Sequence, residues 1–163
     1  MRILHLEWDN YDEKSKVLIR NTGKVDNVSC KTQSELVELV HSQFYEAIFF
    51  RLGLEADKTF FSINPDLQWL ITPTTGLDHI DMNCARDKKI NIISLKGEEK
   101  FLKGIHTTAE HAWALLLCIN RKVLISHNSV LEGLWSRGDY YCNELNGKIL
   151  GIIGYGRLGQ IVA

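Results

Sequence analysis

Gly154-Tyr155-Gly156-Arg157-Leu158-Gly159 carries the glycine spacing of a turn that cradles a diphosphate, and only four residues follow it. The run Ile149-Leu150-Gly151-Ile152-Ile153 leads into it and reads as a strand, as such a turn requires. Each glycine has a separate task. Gly154 permits the tight turn off the strand, Gly156 lets the main chain approach a pyrophosphate with no Cβ between, and Gly159 lets the new helix lie close to the strand. The amides of the first helical turn would then face the phosphates. Arg157 and Leu158 belong to that turn, and the guanidinium can add a charge-assisted contact. An acidic partner for a ribose is expected about 20 residues further on, a position beyond Ala163. Glycine-rich corners also occur in α/β proteins that bind no nucleotide, so the remainder of the chain has to decide.

A chain of 163 residues suits one domain, or one domain and a piece of a second. With 45% hydrophobic and 24% charged residues it reads as an ordinary globular protein. A net charge of −1 offers no attraction for nucleic acid or an anionic membrane surface, and neither partner is expected. No apolar run approaches the roughly 18 residues of a membrane span. The N-terminus turns acidic at Glu7, too soon for a secretory signal, which predicts a cytoplasmic protein. Cys30, Cys84, Cys118 and Cys142 are far apart and form no CxxC pair, as expected of reduced thiols. His106 and His111 are five residues apart, off the one-face spacing of zinc-binding helices, so no metal is expected.

Upstream of the glycine turn, apolar runs alternate with helical patterns. Strands are expected at residues 3–6, 25–30, 47–50, 69–72 and 90–94. Between them lie a helix over 12–21 that stops before Gly23, a helix opened by the capping box Thr32-Gln33-Ser34-Glu35, a helix ending before Asn64-Pro65, and a short helix over 81–87. This alternation predicts a parallel sheet with helices on both faces. Residues 96–103 are charged and aperiodic and read as a linker or loop. Residues 107–134 read as long and mostly helical. Their apolar side chains cover more than one face around 112–119, which implies burial on several sides, in a core or a subunit interface.

Three stretches carry a resemblance to a known family. They are Thr74-Thr75-Gly76-Leu77-Asp78-His79-Ile80-Asp81, Thr108-Ala109-Glu110-His111, and Glu144-Leu145-Asn146-Gly147-Lys148 running into Gly151-Ile152-Ile153-Gly154 and the turn that ends at Gly159. In this order they resemble segments of the D-isomer-specific 2-hydroxyacid dehydrogenases, the family that includes D-3-phosphoglycerate dehydrogenase. The match covers about residues 69–163, whereas residues 1–68 agree only in strand–helix pattern.

The resemblance implies a flavodoxin-like parallel-sheet substrate domain over residues 1–98, followed over 99–163 by the first elements of a Rossmann dinucleotide-binding domain, broken off after the glycine turn. It implies NAD or NADP as cofactor, with NAD favoured, a small 2-hydroxy or 2-keto acid as substrate, 3-phosphoglycerate among them, and a homodimer through the 107–142 region. Arg51, Thr75, Gly76 and Leu77 stand where the family binds substrate, and Thr107 where it approaches the nicotinamide. The family often has Gly-Ala-Gly where Thr74, Thr75 and Gly76 stand, so the two threonines are departures. The family's arginine, glutamate and histidine that hold the acid and exchange its proton come from segments downstream of the glycine turn. No catalytic residue is therefore assigned here, and Glu110 and His111, at a helix start, are read as capping or packing groups. The 163-residue chain is expected to be inactive by itself. Arg51 can equally be an exposed strand-end arginine, and Thr107 a plain helix cap. The alternative function is a non-catalytic dinucleotide-sensing or regulatory module on the same fold, and an unrelated receiver-like α/β domain is the third.

Overall fold

The computed structural model describes residues 1–136 and 138–163. The chain divides into two compact units, Met1–Glu98 and Glu99–Ala163.

The first unit is built on five parallel strands, β1 (Arg2–His5), β2 (Lys24–Asn27), β3 (Ala47–Phe49), β4 (Trp69–Ile71) and β5 (Asn91–Ile93), in the order β2-β1-β3-β4-β5. Register places Leu4, Ile48, Leu70 and Ile92 in one row and His5, Phe49, Ile71 and Ile93 in the next, so the two rows face opposite sides. Between the strands run α1 (Glu13–Arg20), α2 (Gln33–Ser42), α3 (Lys58–Ile63) and α4 (Met82–Asp87). The path steps one way from β1 to β2 and the other way thereafter. Right-handed crossovers therefore put α1 on one face and α2, α3 and α4 on the other. The core follows suit: Leu36, Val40, Phe60, Phe61 and Ala85 pack with Leu4, Ile48, Phe50 and Leu70, whereas α1 buries no residue. On the α1 face Trp69 and Ile93 stay exposed.

Local chemistry fixes the helix starts. Thr32 and Glu35 form the reciprocal capping box, and Asp12, Asp57 and Asp81 each accept amide protons at a helix N-terminus. A 3-10 turn over Trp8–Asn10 follows β1.

The second unit contains α5 (Glu99–Leu102), α6 (Thr107–Asn120), α7 (Val123–Leu131) and α8 (Arg157–Val162). Three expectations are corrected here. Residues 96–103, read as linker or loop, contain α5. The long helix over 107–134 is two helices, broken where Lys122 adopts a left-handed φ of 52°. Residues 149–153, read as a strand, form no ladder, because no segment among the described residues pairs with them; Ile149 and Ile153 are fully exposed. The apolar side chains of α6 are largely uncovered, with only Ala109 buried.

Candidate functional site

At the glycine turn, each glycine meets a different constraint. Gly154 has φ +91°, a conformation that side chains rarely adopt. A Cβ on Gly156 would meet nothing within 4 Å, so the main chain there is open to a ligand. A Cβ on Gly159 would collide with the carbonyl oxygen of Gly154, which fixes the close seat of α8 on the turn. Gly156 is the N-cap residue of α8 and Leu158 lies in its first turn, partly exposed.

Arg157 does not reach into this open space with its Nη1 atom. That nitrogen donates 3.0 Å hydrogen bonds to the carbonyls of Leu102 and Ile105 and pins the segment between α5 and α6. Lys100, Lys103 and Gln160 line a cleft beside it. The two lysines lie in the stretch read as loop; their i,i+3 spacing on a helical turn was the available signal, and the four-residue length of α5 hid it. Thr107 is the first residue of α6 rather than its cap, since the cap position falls on His106. Glu110 lies in the first turn of the same helix, and His111 is exposed there.

In the first unit, ligands of an open parallel sheet bind beyond the carboxyl ends of the strands, at the point where strand order reverses. Here that point lies between β1 and β3. A cavity of about 230 Å³ opens there, lined by Glu7, Trp8, Asn27, Ser29 and Arg51 among others. Arg51 is already engaged: Nε donates to the Leu52 carbonyl, Nη1 donates to the Cys30 carbonyl, both at 3.1 Å, and Nε lies 3.8 Å from Glu7 Oε1.

Thr75, Gly76 and Leu77 lie on the loop beyond β4. None of their backbone N–H groups finds an acceptor among the described residues, while the Leu77 carbonyl accepts from Ile80. Three free amides in succession suit a carboxylate. Sequence reasoning missed the groups beneath this loop. Thr74 Oγ1 donates to the Gly76 carbonyl at 2.8 Å and lies 3.0 Å from Thr72 Oγ1, which in turn lies 3.4 Å from His79 Nε2. The His79 ring stacks on Phe50, and burial lowers its proton affinity, opposed by the charge of Asp78. Among the described residues, no group of three His, Cys, Asp or Glu side chains is placed to hold a metal, and no helix is long and apolar enough to cross a membrane.

Comparison with known proteins gives concordant results. The profile of the D-isomer specific 2-hydroxyacid dehydrogenase catalytic domain matches residues 5–137, and that of the family's NAD binding domain matches residues 113–163. A D-3-phosphoglycerate dehydrogenase of Archaeoglobus fulgidus is 32% identical over 152 residues, covering 93% of this chain and 28% of the relative. A glycerate dehydrogenase of Methylorubrum extorquens is 30% identical over 105 residues, covering 61% of this chain and 32% of the relative. The chain thus spans about a third or less of these relatives' lengths. Among solved structures, an acyclic imino acid reductase in complex with NADPH and D-Arg superposes with a TM-score of 0.76 at 25% identity, covering 99% of this chain and 51% of that one. An NAD-dependent formate dehydrogenase of Staphylococcus aureus in complex with NAD gives 0.76 at 23% identity, covering 100% and 52%. With a parallel α/β sheet, a glycine turn of the right geometry and a family profile spanning most of its length, this chain belongs to the D-isomer specific 2-hydroxyacid dehydrogenase family.

Proposed function

We propose that the chain serves an NAD(P)-dependent oxidoreductase that moves a hydride between a nicotinamide ring and C2 of a small 2-hydroxy or 2-keto acid. NAD is the preferred cofactor and 3-phosphoglycerate is among the acids that suit the site. The observation that carries the reading is the 154–159 turn, where Gly154 takes the left-handed φ, Gly156 leaves open space and Gly159 abuts the Gly154 carbonyl. When bound, a nicotinamide dinucleotide supplies or accepts the hydride. This chain's residues bind and orient. Main-chain amides from Gly156 to Leu158 meet the diphosphate, and Thr107 lies toward the nicotinamide. The free amides of Thr75, Gly76 and Leu77 hold the substrate carboxylate. Arg51 lines the cavity beyond β3, where an anionic substrate group would compete with Glu7 for its guanidinium. The arginine, glutamate and histidine that complete the chemistry belong to segments outside this chain.

We further propose that the 99–163 unit begins the cofactor domain and that two copies associate through the 107–142 region. Exposed apolar side chains on α6, α7 and the following segment support this, among them Ile119, Leu124, Leu131, Trp135 and Tyr141. Four unpaired cysteines fit a reducing compartment such as the cytoplasm.

Amide NMR of the isotope-labelled chain tests the cofactor site. The resonances of Gly156, Arg157 and Leu158 are expected to move with NADH at lower concentration than with NADPH. In the same solution NADH absorbance should stay constant when pyruvate is added. Unmoved resonances at millimolar NADH refute the cofactor site, and loss of NADH absorbance refutes the placement of the catalytic groups outside this chain.

A further inference from the structure

The loop over residues 74–77 is held by side chains whose hydrogen bonds have only one consistent direction. A threonine hydroxyl has a single proton to donate. The proton of Thr74 goes to the Gly76 carbonyl. Its contact with Thr72 Oγ1 must therefore run the other way, with Thr72 donating to Thr74. The proton of Thr72 is then committed as well, so the contact with His79 is one in which Nε2–H donates to Thr72 Oγ1. The result is a relay from His79 through Thr72 and Thr74 to Gly76, with every proton pointing toward the loop. Bonds aligned in this way polarise one another.

The members are fixed from behind. Thr72 is 1% exposed, and its backbone N–H donates to the Ile93 carbonyl at 2.8 Å, which anchors it to the end of β5. His79 stacks on Phe50, a residue of the buried core, with an interplanar angle of 12°. Its backbone carbonyl accepts from Ala56 N–H at 2.8 Å.

The relay ends on a carbonyl, and that decides where an amide points. The Gly76–Leu77 peptide is trans, and in a planar trans peptide C=O and N–H point in opposite directions. Drawing the Gly76 oxygen toward Thr74 turns the Leu77 N–H away from it, and no acceptor among the described residues takes that proton. Without the relay, the Gly76–Leu77 peptide could rotate, and its carbonyl oxygen would meet a carboxylate where the N–H should.

We infer that His79, Thr72 and Thr74 are positioning residues, which set the Gly76–Leu77 peptide so that its amide faces the substrate carboxylate. The inference rests on the reading of residues 75–77 as the carboxylate loop. It also gives Thr74, a departure from the family's common Gly-Ala-Gly, a task of its own.

The test compares the native chain with Thr74→Val, His79→Phe and His79→Gln, by the Gly76 carbonyl carbon shift without ligand and by amide shifts of Thr75, Gly76 and Leu77 during titration with oxalate. Valine keeps the shape of Thr74 and removes the hydroxyl. Phenylalanine keeps the stacking partner of Phe50 and removes the donor, and glutamine restores a donor. The Gly76 carbonyl signal is expected to move in Thr74→Val and His79→Phe and to return toward the native value in His79→Gln. Oxalate affinity should fall roughly tenfold in the first two, as for loss of one charge-assisted bond, and recover in the third. An unmoved Gly76 carbonyl in both variants overturns the relay. Failure of His79→Gln to restore the signal assigns His79 a packing role and overturns its part. A moving carbonyl in variants, with no oxalate response in the native chain, instead refutes the carboxylate-loop reading.

Discussion

His5 ties the stability of the sheet to pH in a way that can be worked out before it is measured. The residue ends β1 and is 1% exposed. Its ring stacks on Phe49 at 4.6 Å, and the rings of Tyr11 and Trp8 stand edge-on at 4.5 and 5.2 Å. Nδ1 accepts the Glu7 amide proton at 3.2 Å, which leaves the ring proton on Nε2, where it is buried and has no partner. A second proton would have to enter at Nδ1, opposite an N–H that is already there. Burial pushes the proton affinity of the ring down, to a midpoint of about 4 from 6.5. The unfolded chain takes up its proton as pH falls through 6.5, and the folded chain only near 4. Between those values the unfolded state binds more protons, so stability falls as pH drops and is constant above 6.5. At about 1.4 kcal/mol per tenfold change in proton affinity, the loss approaches roughly 3 kcal/mol by pH 4. Carboxylates also contribute to acid unfolding, so the informative quantity is the difference between the native chain and His5→Phe. Urea unfolding followed by Trp fluorescence at several pH values from 7.5 to about 4 should show the native chain losing about 3 kcal/mol more than the variant. An NMR titration of the His5 ring carbon should give a midpoint near 4. A midpoint near 6.5, or equal acid sensitivity in both proteins, would show that water reaches the ring and refute the reasoning.

Two glycines of one turn should respond in opposite ways to the same substitution. Gly159→Ala drives a methyl into the Gly154 backbone and should destabilise the seat of α8 by about 1–3 kcal/mol, read as faster hydrogen exchange over residues 157–163. Gly156→Ala meets open space at an ordinary φ of −82° and should leave exchange unchanged while weakening NADH binding at least about tenfold; equal effects of the two substitutions would refute the division of tasks. For the proposed homodimer, Ile119→Glu together with Leu124→Glu places charges on the exposed apolar faces of α6 and α7 and should weaken association at least about tenfold in sedimentation velocity. A native chain that remains monomeric at all concentrations would refute the interface.

The sheet was legible because its inner strands read as short unbroken apolar runs, as at Ala47–Phe49 and Trp69–Ile71, even though Trp69 stays exposed on the α1 face. The edge strand β2 is weaker in sequence because, among the described residues, it pairs only with β1, and none of its residues is fully buried. Illegible features depend on partners rather than on local chemistry. A strand at 149–153 needs a neighbour, which residue preference cannot supply. The break at Lys122 requires a left-handed lysine, and neither glycine nor proline marks it. The breadth of apolar residues on α6 signalled burial, yet whether the cover comes from the same chain or a second copy is absent from a periodicity.

The site divides along the same line. The backbone geometry at Gly154, Gly156 and Gly159 could be read because it is set by conformation and by what a Cβ would strike, and both follow from residue type. Arg157 could not, since its Nη1 partners are two carbonyls more than fifty residues upstream, at Leu102 and Ile105. That choice has a consequence for function. A guanidinium bound to carbonyls is solvated by dipoles rather than neutralised by a carboxylate, so it keeps its full charge for an incoming anion. Under the proposed cofactor reading, a diphosphate at the turn would compete with those carbonyls for Arg157. Thr74 makes the same point from the other unit. By pattern it is a departure from a common glycine, and only the path from His79 through Thr72 shows that a hydroxyl there orients the peptide the glycine would have left free.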